Sequence, residues 1–226
     1  MIGVKPAGKW FVLEGPKGCG KTAAQHYIQR GNPPGLVFAA EPSPMPTGQL
    51  ARKLAAEGAD DVVVFRAMCD DRVANMKNVR TQQMRGAHVL QSRSYCSTAV
   101  LQGALGRVDS PLTMSRIMAT HMDTWGCPAI TFWFDGPEGV SVEELATTLL
   151  GRVAARGDSQ NHQQLVNLER QILAYRGARK RYELTSKVWC AFRTLPVPLS
   201  VGLDCLSPVA GVAAQIVEAI ARVTRE

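Results

Sequence analysis

Eight consecutive residues near the start of the chain constrain its fold more than any others: Gly15-Pro16-Lys17-Gly18-Cys19-Gly20-Lys21-Thr22. They satisfy G-x-x-x-x-G-K-[ST] in full and follow directly on Trp10 to Leu13 (WFVL), an apolar run that reads as a buried strand. From Thr22 to Arg30 the pattern is helical, ended by Gly31 and an Asn-Pro-Pro-Gly breaker. Strand, glycine-rich loop and helix in that order make a phosphate cradle. The glycines let the backbone curl until successive N–H groups converge on phosphate oxygens, and the helix N-terminus adds positive potential. In such a loop Lys21 reaches the β- and γ-phosphates of ATP or GTP, and the Thr22 hydroxyl helps to hold Mg²⁺. All eight residues are candidate phosphate contacts. Glu14 either anchors the loop or stands as a second group near magnesium.

Beyond the loop, short apolar runs alternate with helical stretches. Leu36–Ala40, Ala87–Gln91, Ala129–Phe134 and Pro198–Leu203 read as strands. Helices are expected over Gly48–Glu57, Val62–Arg85, Ser97–Leu105, Pro111–Thr124, Val142–Arg156, Gln163–Leu184 and Val209–Thr224. Strands separated by helices imply βαβ crossovers, hence an α/β fold with a mostly parallel five-stranded sheet covered on both faces. No repeat or low-complexity linker divides the 226 residues, so one domain over residues 1–226 is expected.

Composition narrows the function classes. Hydrophobic residues are 46% and charged residues 20%, enough for a sizeable core, and no apolar run approaches the ~18–20 residues of a membrane span. The amino-terminal stretch carries no signal-like apolar core, so a cytoplasmic location is the expectation. Six scattered cysteines without a C-x-x-C pair, and four histidines without an i, i+4 pair, argue against a disulfide scaffold or a structural metal site. Cys19, inside the loop, is either a small tolerated side chain or a redox-sensitive one. The net charge of +7 favours anionic ligands. The densest basic run, Arg176–Arg181, reads as a solvated helix face, a phosphate-facing lid or a DNA-binding arm.

The order of motifs resembles the thymidylate kinase family, within the P-loop nucleoside and nucleoside-monophosphate kinases. FVLEGPKGCGKTAAQ is similar to that family's first strand and loop, and Glu41-Pro42 with Thr47-Gly48-Gln49-Leu50 to its Glu-Pro segment and acceptor-side helix. Asp71-Arg72 resembles the Asp-Arg that reads the acceptor base, VLQSRSYCSTAVLQG the third strand with its Asp-Arg-aromatic motif, and FWFDGPEGVSVEEL the fourth strand and its turn. The resemblance implies a three-layer kinase fold with a small lid at about residues 152–162, a homodimer, and transfer of the γ-phosphate of ATP, with Mg²⁺, to a (deoxy)nucleoside monophosphate such as dTMP. It implies that Lys21, Arg93, Arg152 and Arg156 are catalytic. Arg93 would bridge the two sets of phosphates, and Arg152 and Arg156 would close over ATP. On the acceptor side it implies Glu41, Met68, Arg72, Arg93 and Gln102, with Met68 where the family usually carries a stacking Phe.

Three positions depart from the family pattern. Ser92-Arg93-Ser94 lacks the acidic residue of the Asp-Arg-aromatic motif, Lys17 stands where Asp is frequent, and Ala40 replaces a basic residue. Ser92-Arg93-Ser94 is also similar to the Glu-Arg-Ser of deoxynucleoside kinases with the Glu lost, leaving Asp70, Asp71 or Glu41 as a base. Two other functions therefore stay open: a kinase of the same fold acting on a deoxynucleoside or a hydroxylated base in DNA, and a non-catalytic nucleotide-binding module.

Overall fold

In a computed structural model, which describes residues 7–105, 111–155, 157 and 162–225, the five expected strands form a single sheet. They are β1 (Trp10–Glu14), β2 (Leu36–Ala40), β3 (His88–Ser92), β4 (Ile130–Asp135) and β5 (Leu199–Asp204). Their order is β2-β3-β1-β4-β5, and all four ladders are parallel, so the expected "mostly parallel" sheet is wholly so. Together with helices on both faces this is the α/β architecture of the P-loop kinases.

The helices are α1 (Lys21–Arg30), α2 (Pro46–Ala56), α3 (Asp61–Met84), α4 (Tyr95–Thr98) running on into a π-helical segment (Ala99–Ala104), α5 (Pro111–Trp125), α6 (Val142–Ala154), α7 (His162–Arg193) and α8 (Val209–Thr224). Local chemistry explains most ends. The Asp60 side chain accepts from the Val62 N–H at 2.9 Å, and the Ser141 hydroxyl accepts from the Glu144 N–H at 3.1 Å, so two helices begin on side-chain caps. Pro46 opens α2, two residues before the expected start, because proline at the first helical position forfeits no intrahelical bond. α7 runs on to Arg193 instead of ending at Leu184. No glycine or proline interrupts 185–193, and Ser186 and Cys190 remain buried along it. The helix expected over Ser97–Leu105 is present and is in large part π-helical.

Alternation along the strands splits the core in two. Phe11 and Leu13 of β1, with Ile130, Phe132 and Phe134 of β4, face a cluster completed by α1, α6 and α8. Trp10 and Val12 of β1, with Trp133 of β4, face the other cluster, completed by α3, α4 and α5. Each fully buried aromatic such as Phe11 or Phe132 contributes about 1.5–3 kcal/mol by leaving water. α7 serves both sides: Leu168 and Ile172 enter the first cluster, and Tyr175, Ala178 and Tyr182 enter the second.

This topology places the site. The chain leaves β1 for β2 and β3 on one side, then crosses back to β4 on the other. The crevice outside the carboxyl ends of β1 and β3 lies at that switch point, where open α/β sheets bind ligands. Among the described residues no helix is long and apolar enough to cross a membrane.

Candidate phosphotransfer site

The glycine-rich loop connects β1 to α1 with Gly18 at φ 84° and Gly20 at φ 97°, left-handed values that suit glycine. A Cβ on Gly18 would also lie 2.9 Å from the Leu149 carbonyl oxygen, so α6 closes on the loop only because that Cβ is missing. Lys21 is buried and folds back on the loop, its ammonium donating to the Gly15 oxygen at 2.7 Å and the Pro16 oxygen at 2.8 Å. Burial pulls its pKa below the ordinary lysine value. Cys19 is buried, with Sγ 3.1 Å from the same ammonium. Lys17 is exposed at the loop apex, and its backbone N–H donates to the Gln171 side chain of α7 at 3.4 Å. The Thr22 hydroxyl lies on the exposed first turn of α1.

Two buried polar networks stand at the strand ends beside this loop. The first centres on Glu14, which is wholly buried at the end of β1. Its two carboxylate oxygens accept from the Ser94 and Ser97 hydroxyls, each at 2.6 Å. Burial raises its pKa above the usual carboxylate range, against the pull of the two hydroxyls, Arg93 and Lys21. Arg93, at φ 70°, donates from Nη1 to Ser97 Oγ at 3.2 Å and to the Tyr175 hydroxyl at 3.1 Å. Burial works against its charge, but Tyr175 and Glu14 outweigh it and the guanidinium stays cationic.

The second network holds the segment after β2. Arg72 donates from Nε and Nη2 to Glu41 Oε2, Gln91 Nε2 donates to Glu41 Oε1 at 3.0 Å, and Arg72 also reaches the Thr98 hydroxyl. Asp71 accepts from the Ser43 N–H and hydroxyl and from the Thr47 hydroxyl, tying α3 to the Glu-Pro loop and the start of α2. Gly48 makes that junction possible, since a Cβ there would fall 2.1 Å from the Ser43 oxygen. Ser92, the residue without its expected carboxylate, is buried at the end of β3, where its carbonyl accepts from the Glu41 N–H at 2.9 Å.

The structure therefore gathers Lys21, Glu14 and Arg93 around one crevice, with Arg72 and Glu41 joined to each other beside it. Met68 on α3 and Gln102 on the π-helical segment are half-buried. Arg152, at the end of α6, points to the other side of the loop and donates to the Cys205 oxygen at 2.6 Å and the Leu206 oxygen at 3.4 Å. It lines a cavity of about 320 Å³ with the loop residues Gly18, Cys19 and Gly20, Phe134, and the Cys205–Val209 turn that precedes α8. Arg156, with residues 158–161 of the lid expected over 152–162, lies outside the described residues. In the basic run, Arg179 pairs with Asp135 at 2.6 Å and Glu183 at 3.1 Å, so that stretch is not uniformly a solvated face.

Sequence reasoning missed Ser97, Tyr175, Gln91 and the Cys205–Val209 turn. Ser97 follows Arg93 by one helical turn and was open to inspection. Tyr175 is 82 residues from Arg93, and nothing local marks it.

No protein-family model matches the chain. It is similar to a thymidylate kinase from Afipia carboxidovorans, 29% identical over 180 residues, covering 74% of this chain and 77% of that protein. The similarity points to a thymidylate kinase-like relationship, and a distant one. That kinship and the fold support a nucleotide kinase.

Proposed function

We propose that this chain, acting as one kinase domain, transfers the γ-phosphate of ATP to a (deoxy)nucleoside monophosphate, with dTMP or a related pyrimidine nucleotide as the acceptor. The observation that carries the reading is the meeting of the glycine-rich loop with Arg93 at the switch point of the sheet. Lys21 leaves the Gly15 and Pro16 carbonyls to follow the β- and γ-phosphates. Arg93 lies between donor and acceptor phosphates and offsets their mutual repulsion, so that catalysis is positioning plus charge neutralisation. The cavity between the loop, Arg152 and the Cys205–Val209 turn accepts the base of ATP against Phe134 and Val212.

The donors at the loop fit magnesium carried by the nucleotide. The exposed Thr22 hydroxyl is an oxygen ligand at the mouth of the cradle, while both oxygens of Glu14 are already engaged by serines. Bound there, the ion neutralises charge on the β- and γ-phosphates. Lys21, Arg93 and the loop N–H groups hold the phosphates in line. On the acceptor side, Arg72 and Glu41 form the wall below the Glu-Pro loop, with Met68 and Gln102 toward the base. Arg152 and Arg156 complete the ATP side.

The test is an ADP-release assay with Mg-ATP against each (deoxy)nucleoside monophosphate, thymidine, and single- and double-stranded DNA, including base-modified DNA. Turnover with dTMP or another pyrimidine monophosphate supports the proposal. Turnover confined to a nucleoside or to DNA keeps the kinase and replaces the acceptor. No acceptor-dependent turnover overturns it in favour of a nucleotide-binding module.

A further inference from the structure

We propose that Tyr175 is a positioning residue for Arg93: its hydroxyl pins one edge of the guanidinium so that the opposite edge is presented to the phosphates. The inference rests on the kinase reading for its catalytic consequence, but its structural content stands on geometry alone.

With Glu14 ionised, the hydrogen bonds around Tyr175 have one self-consistent set of directions. Ser97 Oγ lies 2.6 Å from Glu14 Oε2 and spends its single hydrogen there, because an ionised carboxylate only accepts. The Tyr175 hydroxyl, 2.9 Å from Ser97 Oγ, must then donate to it. With its own hydrogen committed, the Tyr175 oxygen accepts from Arg93 Nη1 at 3.1 Å. The chain of donors runs from guanidinium to phenol to hydroxyl to carboxylate. A phenylalanine at 175 fills the same space and breaks it.

The anchored edge explains what Arg93 does with the rest of its donors. Nη1 carries the bonds to Tyr175 and Ser97, and among the described residues Nε and Nη2 make none. A guanidinium offers five N–H groups in a rigid plane. Fixing one edge therefore fixes the direction in which the other N–H groups point. The backbone contributes as well: Arg93 holds φ 70°, a conformation that costs a non-glycine residue on the order of 1–2 kcal/mol and is kept where neighbours over-determine it. Here the neighbours are Leu13, whose carbonyl accepts the Arg93 N–H at 2.9 Å, and Gln91, whose side chain donates to the Arg93 carbonyl at 2.9 Å.

Tyr175 also ties the site to α7. It is buried on that helix 13 residues after its start at His162, between Ile172 and Ala178, which face the two halves of the core. The position of α7 is thereby reported to Arg93 through a single hydroxyl.

The experiment compares wild type, Tyr175→Phe, Ser97→Ala and the double variant by three readouts: steady-state kinetics, thermal midpoint, and ¹⁵N arginine side-chain spectra with Arg93 assigned by Arg93→Lys. The expected result for Tyr175→Phe is a kcat lowered on the order of tenfold or more, KM for ATP within about twofold, an unchanged midpoint, and faster Nη rotation at Arg93. The double variant should fall short of the product of the single effects, because both break one network. Burial pushes the Tyr175 phenol far above its ordinary range, so the loss should be constant from pH 6 to 9. An unchanged kcat in Tyr175→Phe, with wild type active, overturns the proposal. If wild type turns over no acceptor, the kinase reading falls, and the spectra decide alone: unaltered Arg93 rotation in Tyr175→Phe overturns the positioning role, and released rotation sustains it.

Discussion

Arg72 grips Glu41 with two N–H groups on one carboxylate oxygen, at 3.0 and 2.9 Å, and both side chains are almost wholly withdrawn from solvent. Burial lifts the Glu41 carboxyl, and the guanidinium pulls against that lift. The pair joins α3 to the end of β2, and through Thr98 to α4, so the segment after β2 is braced by buried polar contacts.

Removing one partner should be far worse than removing both. Arg72→Met leaves Glu41 buried with only Gln91 for support, an expected loss of roughly 3–5 kcal/mol. Adding Glu41→Leu removes the stranded charge and should recover much of that loss. Urea denaturation of the single and double variants checks both statements. A double variant less stable than Arg72→Met would show that the polar contacts themselves hold this region.

Gly48 should tolerate no side chain. Its missing Cβ lets α2 lie against Ser43, whose backbone nitrogen would be 2.5 Å from such an atom. Gly48→Ala must push the Glu-Pro loop off Asp71, at an expected cost of roughly 1–3 kcal/mol, read from the denaturation midpoint. An unchanged midpoint would mean the junction yields freely.

The acid side of the stability profile should carry the signature of His121. This ring stacks on Tyr95 with centroids 4.7 Å apart, and its Nδ1 has no hydrogen-bond partner among the described residues. Burial, helped by the charge of Arg72, depresses its pKa to about 2. The unfolded chain protonates near pH 6.5, so between those values it binds a proton that the folded protein refuses. Stability from this group is complete above about pH 6.5 and falls as pH drops toward 2, by at most about 1.4 kcal/mol per unit. Glu14 and Glu41, raised in the fold, act with the opposite sign above their ordinary pKa near 4.5, equally with and without the histidine. His121→Phe keeps the stack and should flatten the slope between pH 7 and 5 relative to wild type. Parallel slopes would contradict the assignment.

How much of this was legible in the sequence depends on range. β1, the loop and α1 were readable because an apolar run, three glycines and a lysine act within 13 residues. Strand identities followed from apolar runs between breakers, and the parallel sheet from their alternation with helices. The end of α7 was misplaced because helix termination in that stretch is set by burial of Ser186 and Cys190, not by a local stop signal. Tyr175 as the partner of Arg93 was illegible for a related reason. A hydroxyl 82 residues away becomes a neighbour only once α7 has packed on the sheet. The pairing of Ser94 and Ser97 with Glu14 joins the end of β1 to residues 80 and 83 positions away, a contact that exists only once β1 and β3 have paired.

The most direct test of the central claim is transfer of γ-labelled phosphate from Mg-ATP, followed to product, in wild type and in Lys21→Met. The expected result is label on a pyrimidine nucleoside diphosphate that appears only when the monophosphate is supplied, with the rate falling on the order of 10²–10³-fold in Lys21→Met. Tight ATP binding with label reaching only inorganic phosphate, at a rate indifferent to every acceptor, would contradict it.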